Sequence, residues 1–102
     1  MKLSEMTTYE CAKALTHDEF AAWTRSGAFA LVEYLEQMEE EYETSIEFDR
    51  VALRCEYSEY DTAIEAAQAY TSEFTTEESA LEYLENNTTV INHANGLIVQ
   101  DF

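Results

Sequence analysis

Twenty-two carboxylates, two cysteines and two histidines are the groups in this chain best suited to chemistry. Acid-base catalysis needs two carboxylates whose surroundings drive their pKa values apart, commonly one buried and one solvated. Most acids here fall at positions that face solvent in a periodic reading, where both members of a pair stay ionised, so no glycosidase-like pair stands out. Cys11, His17, Cys55 and His93 are the ligand types of a Cys2His2 zinc site, yet no two of them stand two to five residues apart. A Cys-His nucleophile pair is equally unsupported, with His17 expected in the first turn of a helix and His93 beside a hairpin turn. No acidic stretch has the spaced acids, central glycine and closing glutamate of an EF-hand. Glycine-rich phosphate loops, nucleophile elbows and metalloprotease signatures are absent from the sequence. We therefore expect no enzyme, no catalytic residue, no metal ligand and no cofactor, and look to the charge itself.

Seventeen of the 22 carboxylates lie between Glu33 and Glu85, opposed there only by Arg50 and Arg54, so this segment holds 15 of the 17 net negative charges. Such a self-repelling field costs folding free energy, and its concentration points to a cationic surface that meets it. Six glutamates from Glu33 to Glu43 occupy about 16 Å of helix, one per roughly 3 Å. Duplex DNA carries one charge per about 1.7 Å of axis, the same order. Glu47, Asp49, Glu56, Glu59, Asp61 and Glu65 continue the field. With a pI near 4.1, the chain is repelled by nucleic acid and by anionic membranes, which leaves a basic protein or nucleoprotein as partner. A merely solvated helix face predicts mixed signs and Glu-Lys pairs, whereas no lysine follows Lys13. Halophilic adaptation also yields acidic, lysine-poor surfaces and stays open as an alternative, as does an acidic protein that sequesters one basic partner.

Tyrosines interleave with these acids, most densely in Cys55-Glu56-Tyr57-Ser58-Glu59-Tyr60-Asp61. A tyrosine ring offers a stacking face to guanidinium and an ordered anchor among mobile carboxylates. Tyr57 is expected in the core; Tyr42 and Tyr60 are expected as exposed anchors. The candidate partner-binding set is thus Glu33, Glu36, Glu40, Glu43, Glu47, Glu56, Glu59 and Asp61, with Tyr42 and Tyr60.

The elements that carry these residues follow from periodicity and caps. A composition 46% apolar and 13% aromatic fills a modest core, so we expect one folded domain over residues 1–102. The two glycines and the absence of proline leave Ser, Thr, Asn and Asp to punctuate the chain. Thr7 or Thr8 caps a helix through Leu15. Thr16 with Glu19 reads as a capping box for a second short helix bearing Phe20 and Trp23, closed by Gly27. Ala28, Leu31, Val32, Leu35, Met38 and Tyr42 form a helical stripe whose outer face is Glu33, Glu36, Glu40 and Glu43.

Val51, Leu53, Cys55 and Tyr57 alternate with polar or small residues, which predicts a half-buried strand after a bend near Asp49. Helices are then expected from Tyr60 to Tyr70 and, capped by Thr75 with Glu78, through Asn86. Residues 89–99 read as a hairpin turning on Asn95-Gly96 in type I′ geometry. The expected fold is α+β, with four to five helices packed on one face of a three-stranded antiparallel sheet that ends in the C-terminal hairpin. No run reaches the roughly 18 apolar residues of a membrane span, and the first residues do not read as a secretory signal. A soluble protein of the reducing cytoplasm is expected, with Cys11 and Cys55 as buried thiols; a homodimer stays open.

By its size, its acidity and the segment Ile46 to Asp61, IEFDRVALRCEYSEYD, the chain resembles the small phage and mobile-element proteins that act against host defence, the anti-CRISPR and antirestriction DNA mimics. That resemblance implies stoichiometric inhibition in the bacterial cytoplasm. Glu33, Glu36, Glu40, Glu43, Glu47, Glu56, Glu59 and Asp61 would stand in for phosphates in a cationic nucleic-acid channel, and Tyr42 and Tyr60 would be anchors.

Overall fold

Among the described residues, threonine starts four of the five α-helices. In a computed structural model that describes residues 1–71 and 74–102, Thr7, Thr24, Thr62 and Thr76 cap α1 (Thr8–Thr16), α2 (Arg25–Tyr42), α4 (Ala63–Gln68) and α5 (Glu77–Asn87). Asp49 caps α3 (Arg50–Glu56). Each cap oxygen accepts a backbone N–H that the first turn leaves unpaired. At Thr7 the box is reciprocal: Glu10 N–H donates to the Thr7 hydroxyl at 3.1 Å, and the Glu10 carboxylate accepts Thr7 N–H at 2.9 Å. A 3-10 turn, Leu3–Glu5, precedes α1. Glu73, part of the acidic block, lies outside the described residues.

The sheet runs in the order β1-β3-β2, all antiparallel: β1 (Tyr57–Tyr60), β2 (Val90–His93) and β3 (Gly96–Gln100). The expected architecture of helices on a three-stranded sheet closed by a C-terminal hairpin is what forms. Its layering differs from the expectation, because helices cover both sheet faces. Ile98 and Ile91 join the α1–α2 core with Leu15, Leu31, Val32 and Leu35, while Leu97 and Val99 pack on Ala63, Ala66, Ala67, Ala80 and Leu84. The unbroken Leu97-Ile98-Val99 run is what a central strand buried on both sides requires.

Four local expectations are corrected. No helix follows Thr16: its hydroxyl donates to the Lys13 carbonyl inside α1, and Asp18 turns the chain by accepting Phe20 N–H at 3.0 Å. Gly27 lies in the first turn of α2, where its N–H meets the Thr24 cap at 3.0 Å, and closes nothing. The predicted strand at Val51–Tyr57 is helical for Arg50–Glu56, since the Asp49 carboxylate accepts Val51 and Ala52 N–H at 3.0 and 3.2 Å and nucleates a turn. Leu53 is its buried residue; Val51 and Cys55 are exposed, so Cys55 is not a core thiol, whereas Cys11 is. The strand begins one step later, at Tyr57, where β3 offers a partner.

Fourth, the hairpin turns on Ala94-Asn95. His93 pairs with Gly96, and among the described residues only Glu43 and Gly96 have positive φ, which excludes type I′. Gly96 serves a close approach to β1: a Cβ there would run into the Tyr60 carbonyl. Smaller shifts follow from neighbours. Tyr60 belongs to β1, so α4 starts at Ala63, and α5 takes its cap from Thr76 in place of Thr75.

Candidate acidic interface

The face of α2 that turns from the core carries Glu33 and Glu40, seven residues and about 10 Å apart along the axis. Core contacts from Ala28, Leu31, Val32 and Leu35 fix that rotation. The helix ends with Glu43 at φ 50, a left-handed cap whose N–H returns to the Glu39 carbonyl. Glu33, Glu40, Glu41 and Glu43 are exposed and have no ion-pair or hydrogen-bond partner among the described residues. Tyr42 stands beside them, 67% exposed.

Other predicted members are used inside the molecule. Glu36 faces α1 and accepts the Thr8 hydroxyl at 2.9 Å on both carboxylate oxygens. Its neighbour Glu39 accepts Ile46 N–H at 2.7 Å. Both stand four residues after buried Val32 and Leu35, a spacing that could have marked them as flanking the core. Glu47 is exposed and pairs with the amine of Met1 at 2.9 Å, while residues 1–3 bridge to residues 46–48. Glu56 and Asp61 are exposed at either end of β1, and Tyr60 is half-buried against the α4–α5 cluster.

Glu59 departs furthest from an outward phosphate surrogate. Its side chain is 11% exposed and lies over the start of α2, accepting Thr24 N–H at 2.8 Å and the Thr24 hydroxyl at 2.5 Å. His93 Nε2, 3% exposed, sits 2.9 Å from Glu59 Oε2 in poor alignment for a directed hydrogen bond. Asn95 Nδ2 donates to Ser26 Oγ at 3.1 Å, and Ser26 Oγ lies 2.9 Å from His93 Nδ1. Asn95 N–H also donates to Nδ1, at 3.3 Å. The order Ser26, His93, Glu59 is that of a nucleophile relay, yet neither Ser26 nor His93 is among the residues lining the clefts around α1, α2 and α3. The network ties the hairpin and β1 to the α2 N-terminus. The i, i+2 relation to buried Tyr57 in β1 is the signal that would have turned Glu59 inward.

Titration follows the same division. Two backbone N–H groups, from Ile64 and Ala63, hold Glu77 below the ordinary carboxylate range by bonding it at 2.9 Å each. Glu10 is lowered in the same way by Thr7. Burial pushes Asp18 up, but the Phe20 N–H and Arg54, 2.9 Å away, outweigh it and leave the carboxyl lowered. Burial, with the nearby Glu36 and Glu10 charges, raises the Cys11 thiol, the opposite of an activated nucleophile. His17 sits at the C-cap of α1, not in a first turn. Among the described residues no group of three His, Cys, Asp or Glu is placed to hold a metal ion, and no helix is long and apolar enough to cross a membrane.

The site is therefore an unpaired glutamate strip with an exposed tyrosine, on a small α+β domain. Comparison with protein-family models, curated proteins and solved structures finds no match to this chain.

Proposed function

We propose that this protein is a non-enzymatic inhibitor that acts in the bacterial cytoplasm, applying the outer strip of α2 to the basic nucleic-acid-binding surface of a defence complex. The reading rests on one observation: Glu33, Glu40, Glu41 and Glu43 are exposed beside Tyr42 with no ion-pair partner among the described residues. A protein gains nothing in stability from such crowding, whereas an arginine- and lysine-lined channel regains on contact the Coulomb energy the monomer forgoes. Glu56 and Asp61 extend the set, and Tyr42 offers its ring to an arginine. Glu36 and Glu59 add charge but are held by internal hydrogen bonds, and so support the surface more than they touch a partner.

The test is charge reversal of Glu33, Glu40, Glu41 and Glu43 to lysine, with the protein as bait in a bacterial lysate and DNA as competitor. Wild-type chain should capture a basic complex from which duplex DNA displaces it, and the folded quadruple variant should capture nothing. Equal capture by both proteins would sink the proposal. Capture that DNA does not compete would replace channel blocking with sequestration of a basic partner.

A further inference from the structure

The chain's few cations gather on one side. Lys13, Arg25, Arg50 and Arg54, four of the five lysines and arginines, line adjoining clefts around the loop between α1 and α2. Asp18, Glu19 or Glu59 shares the clefts that hold Arg50 and Arg54. The cleft between α1 and the start of α2 differs. About 320 Å³ in volume, it is lined by Lys13, Arg25 and His17 and by the rings of Tyr9, Trp23 and Phe29, with no carboxylate. In a chain where acids outnumber lysines and arginines 22 to 5, a cationic cleft free of acids is not the expected default.

Its charges are also unspent. Among the described residues neither Lys13 nor Arg25 forms an ion pair; each instead faces a ring, Lys13 Nζ at 6.0 Å from the Tyr9 centroid and Arg25 Cζ at 5.9 Å from that of Phe29. Tyr9 is 55% exposed, with its ring centroid 6.4 Å from that of Phe29. Trp23, 8% exposed, forms the wall shared with the next cleft, and its buried indole N–H has no acceptor among the described residues. Buried indole donors are ordinarily paired, so an acceptor brought in through either cleft that Trp23 lines would meet an unpartnered group.

We propose that this cleft binds a planar aromatic anion, its ring against Tyr9 and Phe29 and its charged group between Lys13 and Arg25. The volume lies at the lower end of small-molecule sites, enough for one ring system with one phosphate or carboxylate. A mononucleotide and a free aromatic acid share that chemistry.

Trp23 is the chain's single tryptophan, so its emission and its one indole N–H resonance report on the cleft directly. The intact protein would be titrated with adenosine monophosphate, indole-3-carboxylate, adenosine and inorganic phosphate. Saturable changes are expected for a probe that combines ring and anion, at least tenfold tighter than for adenosine or phosphate. The tighter of the two combined probes identifies phosphate or carboxylate as the preferred group. Lys13→Gln with Arg25→Gln should weaken that binding at least tenfold, and Glu82→Gln, at an exposed position of α5, should leave it unchanged. No saturable response below millimolar concentration, phosphate binding as tightly as the combined probes, or undiminished binding in the double variant would each overturn the proposal.

Discussion

Replacing Gly27 by alanine should destabilise this protein, although the same change in a helix ordinarily stabilises. An alanine in place of glycine within a helix gains up to about 1 kcal/mol. Here the new Cβ would stand 2.6 Å from Cδ and 2.8 Å from Oε1 of Glu59, and closer still to its other oxygen. That carboxylate is the far end of a flexible side chain, but it is only 11% exposed and is held by Thr24 N–H at 2.8 Å and the Thr24 hydroxyl at 2.5 Å. Hydrogen bonds to a charged group contribute roughly 1.5–3 kcal/mol each. If moving aside sacrifices about half of the pair and the helix gain offsets part of that, the net loss is about 1–2 kcal/mol. For a domain of this size the melting midpoint should fall by roughly 4–16 °C. Thermal unfolding followed by circular dichroism measures it, and a double-mutant cycle with Glu59→Ala isolates the cause. Without the carboxylate, Gly27→Ala should be neutral or stabilising. A raised midpoint for Gly27→Ala alone, or the same shift in both backgrounds, would refute the packing argument.

Gly96→Ala should cost roughly 1–3 kcal/mol in denaturant melts, because its positive φ and the Tyr60 carbonyl leave no room for a side chain. Asp49→Ala should cost about 1 kcal/mol and loosen α3, visible as faster amide exchange at Val51 and Ala52, whose N–H groups it holds. Tyr57 is pushed up to about 12 by burial, with Tyr34 and Glu56 adding to the shift. A raised pKa favours the folded state below the unfolded value of about 10 and loses that advantage as the pH climbs toward 12. Alkaline titration at 295 nm should therefore show at least one of the seven tyrosines ionising late, together with unfolding. At the acid end Asp18, Glu10 and Glu77 are lowered, so their stabilisation is present above about pH 4.5 and disappears as the pH falls below it. Midpoints measured between pH 6 and 3 should drop on that limb, and a Glu77→Gln variant should drop less.

What could be read from residue order was whatever local chemistry decides. The threonine caps of α1 and α5, the stripe of α2 from Ala28 to Leu35 and the two-run tail are each set by interactions within a few residues, and each forms, α5 with its cap one residue later than expected. The charge block was equally plain, since composition needs no coordinates. Legibility failed where two local signals competed. Val51, Leu53, Cys55 and Tyr57 alternate as a strand does, but Asp49 caps a helix over the first three, and the sheet edge beside β3 is filled by Tyr57–Tyr60. Asn95-Gly96 promised a turn, yet the need to bring β3 close to the Tyr60 carbonyl claimed the glycine for the strand.

The same limit separates the acids. Sequence alone determined how many carboxylates there are and that they crowd one half of the chain, because charge is a property of the residue. Only the tertiary structure decided which remain free, since that depends on what packs across from them. Thr8 of α1 takes Glu36, the amide of Ile46 takes Glu39, and the start of α2 draws Glu59 largely out of water, while Glu33, Glu40, Glu41 and Glu43 find no polar partner among the described residues. Burying a carboxylate is tolerated only where donors await it, and those donors lie 7 to 35 residues away in the chain.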